Sequence, residues 1–181
     1  PRVCPHPPPH AGRLQTRGIA VAANSTWPME RSGSLGFFCQ GTHVDKFLQG
    51  QVPGLGAYNC AGLYGNTCGS PQPKWKHNFR VTWNTPWSWT GGVAWRHSDS
   101  VDIDQSSSDP QLNGAFNPPD KTLGARDYFD LVARWNITKN FSVRGGGHNL
   151  LDDDPPNQSS VNLPPSHGQP FPERYDQLGG T

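Results

Sequence analysis

The sequence has 181 residues and a formal net charge of +1, with 33% hydrophobic and 16% charged residues, which suits one domain or part of one. Its 21 glycines and 19 prolines argue against long amphipathic helices, while 10% aromatics, including seven tryptophans, argue against simple disorder. The balanced charge leaves no basic footprint for nucleic acid, and no apolar run approaches the roughly 18 residues of a membrane-spanning helix.

Residues 1–17 are Pro-rich, carry Arg2, Arg13 and Arg17, and lack apolar periodicity, so they are expected to form an irregular arm. They also lack the charged-then-apolar pattern of a secretory signal. Gly18 to Trp27 reads as a strand ended by Pro28, which cannot donate to a ladder. Gly33 to Phe47 is a second strand, in which Leu35, Phe37 and Cys39 alternate with Ser34, Gly36 and Gln40. Residues 49–74 are a long Gly- and Pro-rich loop containing Cys60 and Cys68.

The clearest period of two runs from Lys76 to Asn84, with Phe79, Val81 and Trp83 on one face and Asn78, Arg80, Thr82 and Asn84 on the other. Thr85-Pro86-Trp87-Ser88 is a short turn, and Trp89 to Val101 runs back to complete a hairpin. Residues 102–124 are a polar loop longer than the roughly 12–15 residues usual for structureless connections. A second hairpin pairs Asp127–Trp135 with Phe141–His148 through a tight turn at Thr138-Lys139-Asn140. Residues 151–181, with Asp152-Asp153-Asp154 and two Pro pairs, are expected to be an irregular tail.

Both hairpins share short turns at one end, long polar loops at the other, strands of about ten residues and aromatics near strand ends. A transmembrane β-barrel requires all of these features. A soluble antiparallel sandwich also alternates, so periodicity by itself leaves both open; loop asymmetry and tryptophan placement favour the barrel. The expected fold class is therefore all-β: antiparallel hairpins in a meander, with long Gly/Pro-rich loops, forming a fragment of a transmembrane β-barrel over residues 18–150.

Several stretches resemble a known family. They are Val52-Pro53-Gly54-Leu55-Gly56, the Tyr58-to-Gly69 segment with its two cysteines, Pro73-Lys74-Trp75-Lys76-His77, Thr85-Pro86-Trp87 and Asn149-Leu150-Leu151-Asp152. Together they are similar to the C-terminal barrel of TonB-dependent receptors of Gram-negative bacteria, over about residues 18–178. The resemblance implies a barrel of the 22-stranded class, plugged by an N-terminal domain, in the bacterial outer membrane. Such a barrel imports scarce nutrients such as iron chelates, cobalamin or oligosaccharides with energy from the TonB complex. The chain shows neither the plug and TonB box nor the last strand with its final aromatic residue. It is expected to be a fragment whose partners are outer-membrane lipid, a small-molecule or oligosaccharide ligand, and TonB through the missing plug.

On this reading the loop holding Cys60 and Cys68 faces the oxidising exterior, where a disulfide is expected, with metal binding or two free thiols as alternatives. Arg80, Arg96, Arg134 and Arg144, with Asp130, fall on polar strand faces and are the candidate lumen-facing contacts for a ligand or plug. Trp75, Trp83, Trp87, Trp89, Trp95 and Trp135 divide between interfacial girdles and lipid-facing positions. The scattered histidines include His43 near Asp45 and His148 near Asp152, but no spacing nominates a metal site. Asp99, Asp102 and Asp104 read as solvated loop charge.

Ser32-Gly33-Ser34-Leu35-Gly36 lacks the first glycine of a nucleophile elbow and opens a strand, so no catalytic residue is nominated. No cofactor is expected. The function that follows is energised nutrient uptake through an outer-membrane receptor. The alternative is a free-standing soluble β protein with ligand-binding or hydrolase activity.

Overall fold

A computed structural model describes residues 13–50 and 56–154. Its main body is one antiparallel sheet. β1 (Arg13–Met29) and β2 (Gly33–Gly50) form the longest hairpin, and β3 (Tyr58–Asn59) pairs with the far end of β2. β4 (Leu63–Tyr64) lies outside this sheet, and β5 (Trp75–Asn84) returns along β2. β6 (Trp89–Ser98), β9 (Arg126–Asn136) and β10 (Ser142–Gly147) complete the order β1-β2-β5-β6-β9-β10. Between β6 and β9 come β7 (Val101–Ile103), two single 3-10 turns and β8 (Thr122–Leu123). β4 joins β7 in parallel and β8 joins β7 antiparallel, making a second small sheet.

Three tight turns close one end of the main sheet. At Met29, Ser32 donates its N–H back to the Met29 carbonyl at 3.0 Å. Gly33 then takes φ +91°, and a Cβ there would lie 1.9 Å from the Asn84 carbonyl oxygen, so the turn admits only glycine. Thr85 closes the β5–β6 turn through its N–H to the Trp89 carbonyl, with its hydroxyl bonded to the same carbonyl, both at 2.9 Å. At the β9–β10 turn, Thr138 donates its N–H to the Phe141 carbonyl at 3.1 Å. All the long connections leave from the opposite end.

The strands expected from periodicity are present, with corrections at their ends. β1 begins at Arg13, so residues 13–17, expected to belong to the irregular arm, are strand. The prolines stop at Pro9, and Arg17 reaches across the hairpin to an ion pair with Asp45. Pro28 does not end β1; it stands opposite Ser34 on an outer strand, where a missing N–H costs no ladder bond on the free side. The loops expected at 49–74 and 102–124 contain β3, β4, β7 and β8. These strands are two or three residues long, too short for a period to register. Residues 1–12, and of the tail residues 155–181, lie outside the described residues.

The buried core sits in the loops rather than on the main sheet. Tyr58, Cys60, Cys68 and Leu112 form one cluster with Phe47 and Leu63 against it; Tyr64, Val101, Ile103 and Leu123 form another with Phe116. Cys60 and Cys68 are disulfide-bonded, the pairing expected of the two. Asp104, fully buried, accepts the N–H groups of Thr67 at 2.8 Å and Cys68 at 2.9 Å, so it ties the disulfide loop to the β7 end. Asp104 is therefore a structural acceptor and not the solvated loop charge expected. Burial pushes the Tyr58 phenol up, with the Asp104 charge adding to the shift.

Where β1 and β2 extend beyond the rest of the sheet, the Arg17 guanidinium holds the Asp45 carboxyl below its ordinary value. A carboxyl depressed in the folded state stabilises fully above its unfolded pKa, about 3.9, and that contribution disappears as pH falls through the lower folded value. Amide exchange at the 13–17/44–50 end, taken relative to the intrinsic rate at each pH, should therefore rise on acidification below about pH 4. In Asp45→Asn the acid-induced rise should be absent; an equal rise in both proteins would remove this pair from the account.

Candidate functional site

The two faces of the main sheet differ chemically, and the register shows how far each difference extends. On one face Val81, Val93 and Leu131 lie side by side, as do Phe79, Trp95 and Phe129. Val93 and Leu131 are each 46% exposed and Trp27 is 68% exposed, so no described element covers this face. An apolar face of this extent marks a contact surface for membrane or protein. The sandwich alternative requires a second sheet against it, and the small β4-β7-β8 sheet instead packs its own buried cluster in the loops.

Aromatic rings mark the two ends of that apolar band. At the tight-turn end Trp89 and Trp135 are cross-strand partners with rings stacked at 5.0 Å, and Trp83 donates its indole N–H to the Ser32 carbonyl at 2.8 Å. At the loop end Trp75 donates to His77 Nδ1 at 2.9 Å and Trp95 to Asp127 Oδ1 at 2.7 Å. His97 meets the same Asp127 oxygen at 2.8 Å and stacks on His77 at 5.0 Å. Trp75, Trp83 and Trp95 keep their rings on the apolar face and their N–H groups on polar partners, as interfacial residues do. From Trp89 to Trp95 the strand rises about 20 Å, close to the roughly 25 Å apolar height of barrel walls.

The opposite face is polar and carries all five candidate residues: Arg80 on β5, Arg96 on β6, Asp130 and Arg134 on β9, and Arg144 on β10. The structure divides them into two groups. Arg96 grips Asp130 with a bidentate fork, Nε to Oδ2 at 2.9 Å and a terminal nitrogen to Oδ1 at 3.0 Å. The Asn149 N–H adds a bond to Asp130 Oδ1 at 3.0 Å, and His148 Nδ1 lies 3.4 Å from the same oxygen. Arg96 also lies over the Tyr128 ring, 5.4 Å from its centroid. Arg134 and Arg144 face each other directly across β9 and β10.

A row of Thr82, Gly92, Val132 and Gly146 crosses four strands between the charged rows. Its glycines leave a concavity of about 450 Å³ whose rim includes Arg80, Thr82, Asp130, Arg144 and His148. A Cβ on Gly146 would lie 2.6 Å from the Leu131 carbonyl oxygen, so β10 lies close against β9 only because that position is glycine.

His148 and the glycine floor were missed in the sequence. His148 follows Gly147, whose partner is Leu131, so a hairpin register places it beside Asp130; that register was the available signal. It stands by Asp130, not Asp152 as the sequence proximity suggested. Asn149, at φ +50° and buried, binds the Asp153 backbone in both directions and turns the chain at the end of β10. Ser34 stands within a β-ladder opposite Pro28 and Asn84, which is not a strand-to-helix elbow.

An antiparallel meander with one apolar, aromatic-bordered face, one charged face, tight turns at one end and long structured loops at the other is a section of transmembrane β-barrel wall. Within the described residues the wall is open, with β1 and β10 at its edges. The family model described as TonB dependent receptor-like, beta-barrel, matches residues 7–150, and the chain belongs to that family. No curated protein and no solved structure matches the chain.

Proposed function

We propose that this chain forms part of the barrel wall of an outer-membrane receptor that imports a scarce nutrient, an iron chelate, cobalamin or oligosaccharide, with energy delivered by TonB through a plug domain. The observation that carries the reading is the division of the sheet into an apolar face edged by indoles and a face bearing four arginines and Asp130, within a chain of this receptor family. The apolar side meets lipid and the charged side lines the lumen. In this arrangement Arg80, Arg96, Asp130, Arg134 and Arg144 contact ligand or plug, and the Cys60–Cys68 loop stands over the mouth on the cell exterior.

The test is uptake by cells producing the receptor that contains this chain, with labelled ferric chelate, cobalamin and oligosaccharide offered in turn. One class should accumulate, and its accumulation should stop both on deletion of TonB and on collapse of the proton gradient. Accumulation of none of the three, or accumulation indifferent to both treatments, would overturn the reading.

A further inference from the structure

We infer that the concavity on the charged face is a site for a small anionic ligand bearing carboxylate or phosphate groups, held by Arg144 on one side, with Arg134 next to it across the β9–β10 ladder, and by Arg80 on the other. The inference rests on the reading that this face is the barrel interior, and it narrows the ligand class.

Three observations carry it. The first is the direct opposition of Arg134 and Arg144 in the β9–β10 ladder. Like charges at a cross-strand pair repel, so the position is unfavourable unless an anion lies between or above them. The second is the charge inventory of the rim. Asp130 is already matched by the Arg96 fork and the Asn149 N–H, whereas among the described residues Arg80, Arg134 and Arg144 have no ion-pair partner. The acidic member is thus neutralised and the remaining charge is positive. The third is shape: the flat row of Thr82, Gly92, Val132 and Gly146 leaves the space of about 450 Å³ between the charged rows unfilled.

The span of the site sets the kind of ligand. Arg80 on β5 and Arg144 on β10 are three strand spacings apart, about 14 Å at the backbone, and long arginine side chains reach inward from both walls. One oxyanion sits on the Arg134–Arg144 pair, where guanidinium forks bind carboxylate or phosphate in bidentate geometry. The body of the ligand crosses the glycine floor, and a second acidic group, or a hydroxyl, reaches Arg80 and Thr82. The same oxyanion chemistry could be supplied by an acidic side chain of a plug.

The experiment titrates citrate into the full chain in detergent micelles by calorimetry, and then into the receptor carrying its plug. Citrate should bind the chain, more weakly as salt is raised. In R134Q/R144Q the affinity should fall at least about tenfold and in R80Q about three- to tenfold, as expected for lost charge-assisted bonds. R134K/R144K, which keeps the charge but loses the forks, should fall between the parent and R134Q/R144Q, and K139Q, at the tight turn, should bind as the parent does. Retained binding in the plugged receptor identifies a free ligand as the anion. Binding blocked by the plug, with looser plug retention in R134Q/R144Q, identifies a plug carboxylate and overturns the free-ligand assignment.

Absence of citrate binding, or equal binding in R134Q/R144Q and K139Q, would overturn the site itself. Quenching of the tryptophans by brominated lipid, measured on the same samples after transfer to vesicles, reports separately on the barrel reading. A chain that is quenched and ignores citrate loses only the anion site. A chain that is not quenched loses the reading and the site with it.

Discussion

Val93→Arg and Leu131→Arg should each destabilise the membrane-inserted barrel by about 2–4 kcal/mol, the cost of an arginine on the lipid face near the bilayer midplane. The two residues are cross-strand partners within the apolar band, between the Trp89–Trp135 pair and the Trp95–Phe129 pair. The comparison that gives the experiment its force is Thr82→Arg, one residue along from Val81 and on the other face. There the same charge enters a polar lumen, and the expected change is below about 1 kcal/mol. Chemical unfolding from lipid vesicles measures all three. A soluble sheet with one wet face would tolerate Val93→Arg at least as well as Thr82→Arg, and that order of effects would overturn the assignment of faces.

The second large effect lies in the long loops. Replacing Cys60 and Cys68 by serine should destabilise the loop cap by about 2–3 kcal/mol, since the bridge closes a short segment and restricts the unfolded chain. Asp104 makes the loss specific, because it binds the N–H groups of Thr67 and Cys68 from across the cap and holds them only while the loop stays folded. Proteolysis should therefore cut within residues 58–72 of the variant while the β5, β6 and β9 strands stay protected. Asp104→Ala, which leaves the Thr67 and Cys68 N–H groups without this acceptor, should open the same loop with the disulfide intact. If cleavage in the double serine variant instead spread evenly through the main sheet, the cap would not be a separately stabilised unit.

The loop end and the turn end of this wall are built by different means. At the turn end, backbone closure at Thr85 and Thr138 and the stacked indoles suffice, because the strands meet in a few residues. At the loop end, residues 56–74 and 99–125 must hold their own shape away from the sheet. They do so with a disulfide, two small buried clusters and a short parallel-antiparallel ladder. A loop stiffened in this way holds a fixed surface, which lowers the ordering cost of any contact made there.

The sequence by itself determined the main body of the long strands and their faces. Period-two alternation from Lys76 to Asn84 and from Asp127 to Trp135 assigns each side chain to one face, because successive Cβ atoms must point to opposite sides of a pleat. That was enough to put Arg80, Arg96, Asp130, Arg134 and Arg144 on the polar face, and to mark the tryptophans as strand-end residues. It could not say which of those charges meet, since a strand's partner and register depend on contacts between segments far apart in the chain. Only the tertiary structure decided that Arg96 takes Asp130 for itself, that Arg134 stands opposite Arg144, and that His148 joins Asp130. It also decided that Asp104, polar and placed in a polar loop, is buried: its burial comes from two backbone N–H groups some 36 residues away, a demand no local pattern records.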